Sequence, residues 1–356
     1  MNLDDPKIFE TAAQRQVLAE IDALADGLLD GFAAGKRLAL DMLDAPHCVI
    51  ISGTGNSAIG ADLLAGYVSS LCPVPVVIVH DYGLPAFAKG PHSLVILSSY
   101  SGETQETLSG LAAALQANCR IVALCTGGRL AEETAKAGGQ VWKIDGRPSA
   151  RASTAYSFGL LLAVFQRLGL IPEQHESLQG AVETLRAQGD TLCPTSPVSQ
   201  NMAKRMAGQL MGRLVTVFAA GAFVPVAHHW KSQINQLAKS IAQCEALPEA
   251  DYCTLQGASM PEAVLLHSMA LFLRAEADQR QNRLRSNRLR QALLLEGINT
   301  DFVDARGDSL LAQLWSLTQM GEYMAFYLAA AYGIDPTPLP PREDPQPSNP
   351  DGQSSR

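Results

Sequence analysis

Residues 93–108 read SLVILSSYSGETQETL: the apolar run Leu94–Leu97 breaks into Ser98, Ser99, Tyr100, Ser101 and Gly102, and a helix-like segment follows from about Thr104. A short apolar run that ends in a hydroxyl- and glycine-rich turn and continues as a helix is the repeating unit of a parallel sheet. The unit recurs on both sides. Blocks at His47–Ser52, Val74–His80, Ser93–Ser98, Arg120–Cys125 and Gln140–Ile144 are each followed by turn residues and a helical stretch. They predict an α/β domain whose sheet is covered on both faces. After a polar, helical and then turn-rich connection the alternation restarts, with strands expected at Val215–Ala219, Ala263–Leu273 and Thr300–Asp304 and helices at Arg280–Leu295 and Leu310–Tyr332.

The expected fold class is therefore α/β, with two doubly wound, flavodoxin-like domains, each a parallel sheet flanked by helices. The expected division is a helical segment over residues 1–45, a first domain over 46–170, a connector over 171–197 and a second domain over 198–335. Residues 336–356 hold seven of the chain's 20 prolines and little that is apolar. That composition predicts a disordered tail.

At 356 residues the chain is long enough for two domains with their own cores, and 47% hydrophobic against 17% charged residues excludes wholesale disorder. With 27 Lys and Arg against 35 Asp and Glu the net charge is −8, which argues against a nucleic-acid partner. The cysteines (Cys48, Cys72, Cys119, Cys125, Cys193, Cys244, Cys253) are odd in number and form no CxxC pair. This predicts neither a disulfide framework nor a thiolate metal site, and a reducing, cytoplasmic location. The amino terminus MNLDDPKIFE has no apolar signal core, and the longest uncharged apolar stretch, Leu214–Ala227, is 14 residues and contains Pro225. It is too short to span a bilayer, so no membrane partner is expected.

Three stretches can carry chemistry. Ser99, Ser101 and Thr104 surround Gly102 at a strand-to-helix turn, where hydroxyls, backbone N–H groups and the helix dipole can hold a phosphate. The same residues also suit an ordinary helix cap. ISGTGNSAIGADLL (51–64) places Gly53, Gly55 and Gly60 at a second such turn, spaced GxGxxxxG rather than in the dinucleotide form and without a phosphate-loop lysine. It reads as well as a tight turn with nothing bound, and no cofactor is expected. Arg151, in GRPSARASTAYSFGLLL (146–162), stands before an apolar helix, either facing a ligand or simply solvated. The arginines between Arg280 and Arg290 read as a solvated helix face. His228 and His229 are adjacent, so they project to different faces of a helix, and no third ligand is evident; no metal is expected.

Together these stretches resemble the SIS (sugar isomerase) domain family, and more closely its bifunctional phosphoglucose/phosphomannose isomerases. That family reads roughly GMGGSAIGGDLL, SYSGNTEET and PRAAxGY where this chain has GTGNSAIGADLL, SYSGETQET and ARASTAY. The likeness continues through VAHHWKSQINQLAKSIAQCEALPE (226–249) and GEYMAFYLAAAYGIDPTP (321–338), and so covers about residues 46–338. It implies two SIS domains, a homodimer with the site near the subunit interface, and a small-molecule sugar phosphate as partner. Ser99, Ser101 and Thr104 would hold the phosphate, Gly55 and Ser57 would line the sugar side, and Arg151 would stabilise an enediolate.

The resemblance breaks where protons move. The family's glutamate falls on Gln236, its ring-opening histidine falls on Tyr252, and no lysine follows Lys239 to match the one the family has near its carboxyl terminus. An amide has no useful basicity, and a phenol with a pKa near ~10 is a poor base at neutral pH. Loss of a positioned base removes about 10²–10⁴-fold in rate. Glu245, Glu249, Asp251 and His229 lie close enough in sequence to replace it. The expected function is aldose–ketose isomerisation of glucose 6-phosphate or mannose 6-phosphate with weakened activity. The alternatives are a non-catalytic phosphosugar sensor and a different SIS enzyme, such as an amino-sugar phosphate converter.

Overall fold

The structure, a computed structural model, describes residues 2–40 and 45–337. Among them, nine strands form two wholly parallel sheets. In the first, β1 (Cys48–Ser52), β2 (Val76–Val79), β3 (Ser93–Ser98), β4 (Arg120–Cys125) and β5 (Gln140–Lys143) run in the order β2-β1-β3-β4-β5. In the second, β6 (Leu214–Ala220), β7 (Ala242–Leu247), β8 (Ser268–Arg274) and β9 (Asn299–Asp304) run β7-β6-β8-β9. The expected α/β class, with two parallel sheets flanked by helices, is what the chain adopts.

The helices of the first half are α1 (Ala12–Asp22), α2 (Leu24–Arg37), α3 (Asn56–Val68), α4 (Gln105–Gln116), α5 (Gly128–Lys136) and α6 (Thr154–Arg167). Those of the second are α7 (His175–Leu192), α8 (Met202–Leu210), α9 (Val224–Leu237), α10 (Ala250–Cys253), α11 (Glu262–Leu265), α12 (Arg280–Leu295) and α13 (Leu310–Tyr332). The helical segment expected over residues 1–45 contains a short 3₁₀ turn, α1 and α2; its residues 1 and 41–44 lie outside the described residues, as does the tail expectation beyond Thr337.

Alternation along each strand decides the layers. Val49 and Ile51 of β1 face one side with Ile59, Leu63 and Leu64 of α3, while Ile50 faces the other with Leu108 and Leu111 of α4. In the second sheet Val215, Val217 and Leu271 face inward, and Phe218 and Phe272 face outward against Leu289 and Leu293 of α12. The inward faces of both sheets belong to one continuous core filled by α6, α7, α9 and α13. The expectation of a separate core for each half is thus corrected. Helix α13 is hydrophobic all round and buried along almost its whole length, so neither sheet alone can bury it. The polar connection is likewise more than a link, because Leu178, Ala181, Val182 and Leu185 of α7 reach the same core.

Two strand expectations change. The run Ala263–Leu273 divides into α11 and β8, the strand starting only at Ser268. Strand β7, with sequence AQCEAL, was not expected at all.

Candidate active site

Strands β1 and β3 are neighbours, yet α3 and α4 leave them for opposite faces of the sheet. Ligands of open α/β sheets bind in the crevice that this reversal opens at the strands' carboxyl ends. Both serine- and glycine-rich turns lie there. Gly55 precedes α3 at φ 57°, a left-handed conformation that favours glycine. Gly102 has φ 74°, and a Cβ there would stand 1.9 Å from the Gly127 carbonyl oxygen.

The turns are tied together. The Tyr100 backbone N–H donates to Ser57 Oγ (3.0 Å), and Ser98 Oγ donates to the Ser57 carbonyl (2.7 Å). Ser99 Oγ and Thr104 Oγ1 share a hydrogen bond of 2.8 Å, and the Gly102 N–H donates to Ser99 Oγ (3.1 Å). Thr104 occupies the cap position of α4, but its hydroxyl makes no capping bond. The simple-cap reading of this turn therefore does not describe Thr104, and the first N–H groups of α4 keep their capacity for an anion. Ser101 is exposed and accepts from the Glu103 N–H (3.2 Å).

Helix α9 brings the second half to this crevice. Gln236, in its last turn, accepts through Oε1 from Asn56 Nδ2 (3.0 Å) and donates through Nε2 to Ser232 Oγ (2.9 Å). Gln236 thus stands beside the turn that carries Gly55 and Ser57. Its backbone carbonyl accepts from Lys239 Nζ, which also donates to the Thr337 carbonyl (2.8 Å). Burial holds the Lys239 ammonium below its ordinary pKa, against the opposing pull of Asp335.

Arg151 is buried, at 5% exposure, so the solvated reading fails. Its Nε donates to Glu20 (2.7 Å), Nη2 to the Val17 carbonyl (3.0 Å), and Nη1 to Glu322 and, at 3.5 Å, to Gln233 Oε1. The second Glu322 oxygen meets His229 Nε2 at 3.0 Å. Burial pushes the Glu322 carboxyl up, but Arg151 and His229 outweigh it and hold its pKa below the ordinary value. His229, expected as a spare base, is instead buried against this carboxylate. Beside the cluster lies a cavity of about 250 Å³ lined by Gln16, Glu20, Asn56, Ser149, Arg151 and Thr337 among others.

Tyr252 lies elsewhere. It is 64% exposed on α10, with its hydroxyl 3.3 Å from Arg285 Nη2. Asp251 pairs with the same arginine (2.7 Å), Glu249 is exposed, and Glu245 is half-buried on β7. Neither Glu20, Glu322 nor Asn56 was singled out from the sequence. Glu20 sits in a helix whose visible signal is apolar periodicity, Glu322 falls in the family-like stretch 321–338 without a role given to it there, and an asparagine inside a glycine-rich turn reads as turn chemistry.

Known proteins resemble this chain in sequence and in fold. Residues 199–343 match the family described as bacterial phospho-glucose isomerase C-terminal SIS domain. A bifunctional phosphoglucose/phosphomannose isomerase of Caldicellulosiruptor bescii is 34% identical over 320 residues, 89% of this chain and 94% of the relative. Its counterpart from Aquifex aeolicus is 28% identical over 265 residues, 74% of this chain and 78% of the relative. Among solved structures, tagatose-6-phosphate ketose/aldose isomerase from Escherichia coli superposes with a TM-score of 0.66 at 14% identity, covering 95% of this chain and 98% of that one. That last likeness concerns the fold alone.

Proposed function

The chain belongs to the bifunctional phosphoglucose/phosphomannose isomerase family, and from that premise we propose that it interconverts glucose 6-phosphate or mannose 6-phosphate with fructose 6-phosphate. The observation that carries this reading is the joined pair of turns at the β1–β3 crevice, faced by Gln236 of the second half. Ser99, Ser101 and Thr104 hold the phosphate at the start of α4, and Gly55 and Ser57 line the sugar. Arg151 supplies positive charge for the enediolate, and Gln236 hydrogen-bonds a sugar hydroxyl rather than moving a proton. Tyr252, exposed on its own subunit, enters the partner's site in a homodimer and donates a hydrogen bond during ring opening. The reaction uses no cofactor or metal, and the enzyme works in the cytoplasm without a nucleic-acid or membrane partner. Among the described residues no helix is long and apolar enough to cross a membrane.

A second reading, a phosphosugar sensor without turnover, is favoured by the amide at Gln236. A coupled assay for fructose 6-phosphate, run beside a thermal-shift titration with glucose 6-phosphate, separates the two. Turnover with an elevated KM in Ser101→Ala is the expected result. A ligand-dependent rise in Tm without turnover establishes the sensor, and the absence of both overturns each reading.

A further inference from the structure

We propose that Glu20, in the amino-terminal helix α1, is the catalytic base that moves the proton between C1 and C2 in place of the amide at Gln236. This rests on the isomerase reading above. The cavity beside Gln236 is lined by residues from α1, from the α3 start and from the 149–151 turn, and among its lining residues Glu20 is the one carboxylate. Asn56 lines the same cavity and donates to Gln236, so Glu20 and the amide position border one space. Asn56 Oδ1 is buried and finds no donor among the described residues.

Glu20 is held in place on both oxygens. Oε2 accepts from Arg151 Nε (2.7 Å) and Oε1 accepts from Ser149 Oγ (2.9 Å). A carboxylate so fixed is pre-oriented, and the cation beside it is available to the charge that its own proton abstraction creates. The other acids do not share this placement. Glu322, at 1% exposure, is outside the cavity lining, and so are Asp251 and Glu249.

The step balances without a co-reactant. A Glu20 oxygen takes the proton from C2 of the open-chain aldose, the C–H electron pair becomes the C1–C2 double bond, and the carbonyl pair moves onto O1. The protonated Glu20 returns its proton to C1 while the hydroxyl proton passes from O2 to O1. C1 is reduced, C2 is oxidised, and the carboxylate is regenerated.

The test compares wild type with Glu20→Gln, which keeps the shape and an acceptor for Arg151 but removes the basicity. The expected result is a fall in kcat of about 10²–10⁴-fold, with the glucose 6-phosphate dissociation constant from thermal shift nearly unchanged. Deuterium from heavy water should enter C2 of recovered glucose 6-phosphate with wild type and not with the variant. A purely structural glutamate would instead lower Tm and weaken binding. If Glu20→Gln does not fold, Glu20→Asp retains the charge and withdraws it by one methylene, for a loss of about 10²-fold in kcat at similar Tm. Wild-type turnover with undiminished kcat and exchange in either folded variant overturns this proposal alone. A wild type without turnover overturns the isomerase reading and this one with it.

Discussion

Arg151 shows what residue-level reading reaches. Its position before an apolar helix was visible in the sequence, and its resemblance to an enediolate-binding arginine followed from ARASTAY. Its partners were not visible, because Glu20, Gln233 and Glu322 are separated from it by 131, 82 and 171 positions. Local pattern carries no information at such distances. A half-buried acid makes a measurable prediction. Asp278 accepts from the Ala275 N–H, yet burial pushes its carboxyl up from an ordinary 3.8 to about 6. Between those values the folded protein holds a proton that the unfolded chain releases, so this group's contribution to stability declines as pH rises through that window and stays reduced above it. Asp278→Asn should therefore stabilise the protein by about 1–2 kcal/mol at pH 8, after allowance for its partial exposure, and by much less at pH 4. Denaturant midpoints at the two pH values check this, and an equal gain at both contradicts it.

At the scale of the element, legibility follows composition. Strand β4 was expected at Arg120–Cys125 and forms there, since IVALC is apolar and buried on both faces. Strand β7 escaped because it lies at the edge of its sheet, where AQCEAL needs no continuous apolar run and Ala, Gln and Glu are poor strand formers. Helix α11 is indistinguishable from the start of β8 in sequence because Glu262–Leu265 is too short to show helical periodicity. Helix α2 carries a different signal: Gly27, Gly31 and Gly35 recur every fourth residue and bring it against α6. A Cβ at Gly31 would stand 2.0 Å from the Tyr156 carbonyl oxygen, and one at Gly159 would stand 2.3 Å from that of Leu28. Gly31→Ala, normally favourable in a helix, should cost about 1–3 kcal/mol here because the helices must separate. Thermal denaturation gives the sign directly; an unchanged or raised Tm would show that α2 and α6 do not approach so closely.

For the whole molecule, the alternation of strands and helices revealed two sheets but not their union through one helical layer. A helix buried on every side, such as α13, has the same apolar sequence whichever sheet it covers. The proposed entry of Tyr252 into a partner's site is also a property of this scale. Tyr252→Ala and Ser99→Ala, each impaired alone, should regain about a quarter of wild-type activity when unfolded together and reassembled at random, since a mixed dimer holds one intact site. No recovery on mixing places Tyr252 in the site of its own subunit.

The arginine clamp joins α1, the turn before α6, α9 and α13, drawn from nearly the full length of the folded chain. During synthesis the serine turns, Glu20 and Arg151 emerge early, but the Glu322 partner of Arg151 follows only with α13. The clamp is therefore complete only late in translation, and a nascent chain that stops short of Glu322 carries Arg151 with only part of its partners.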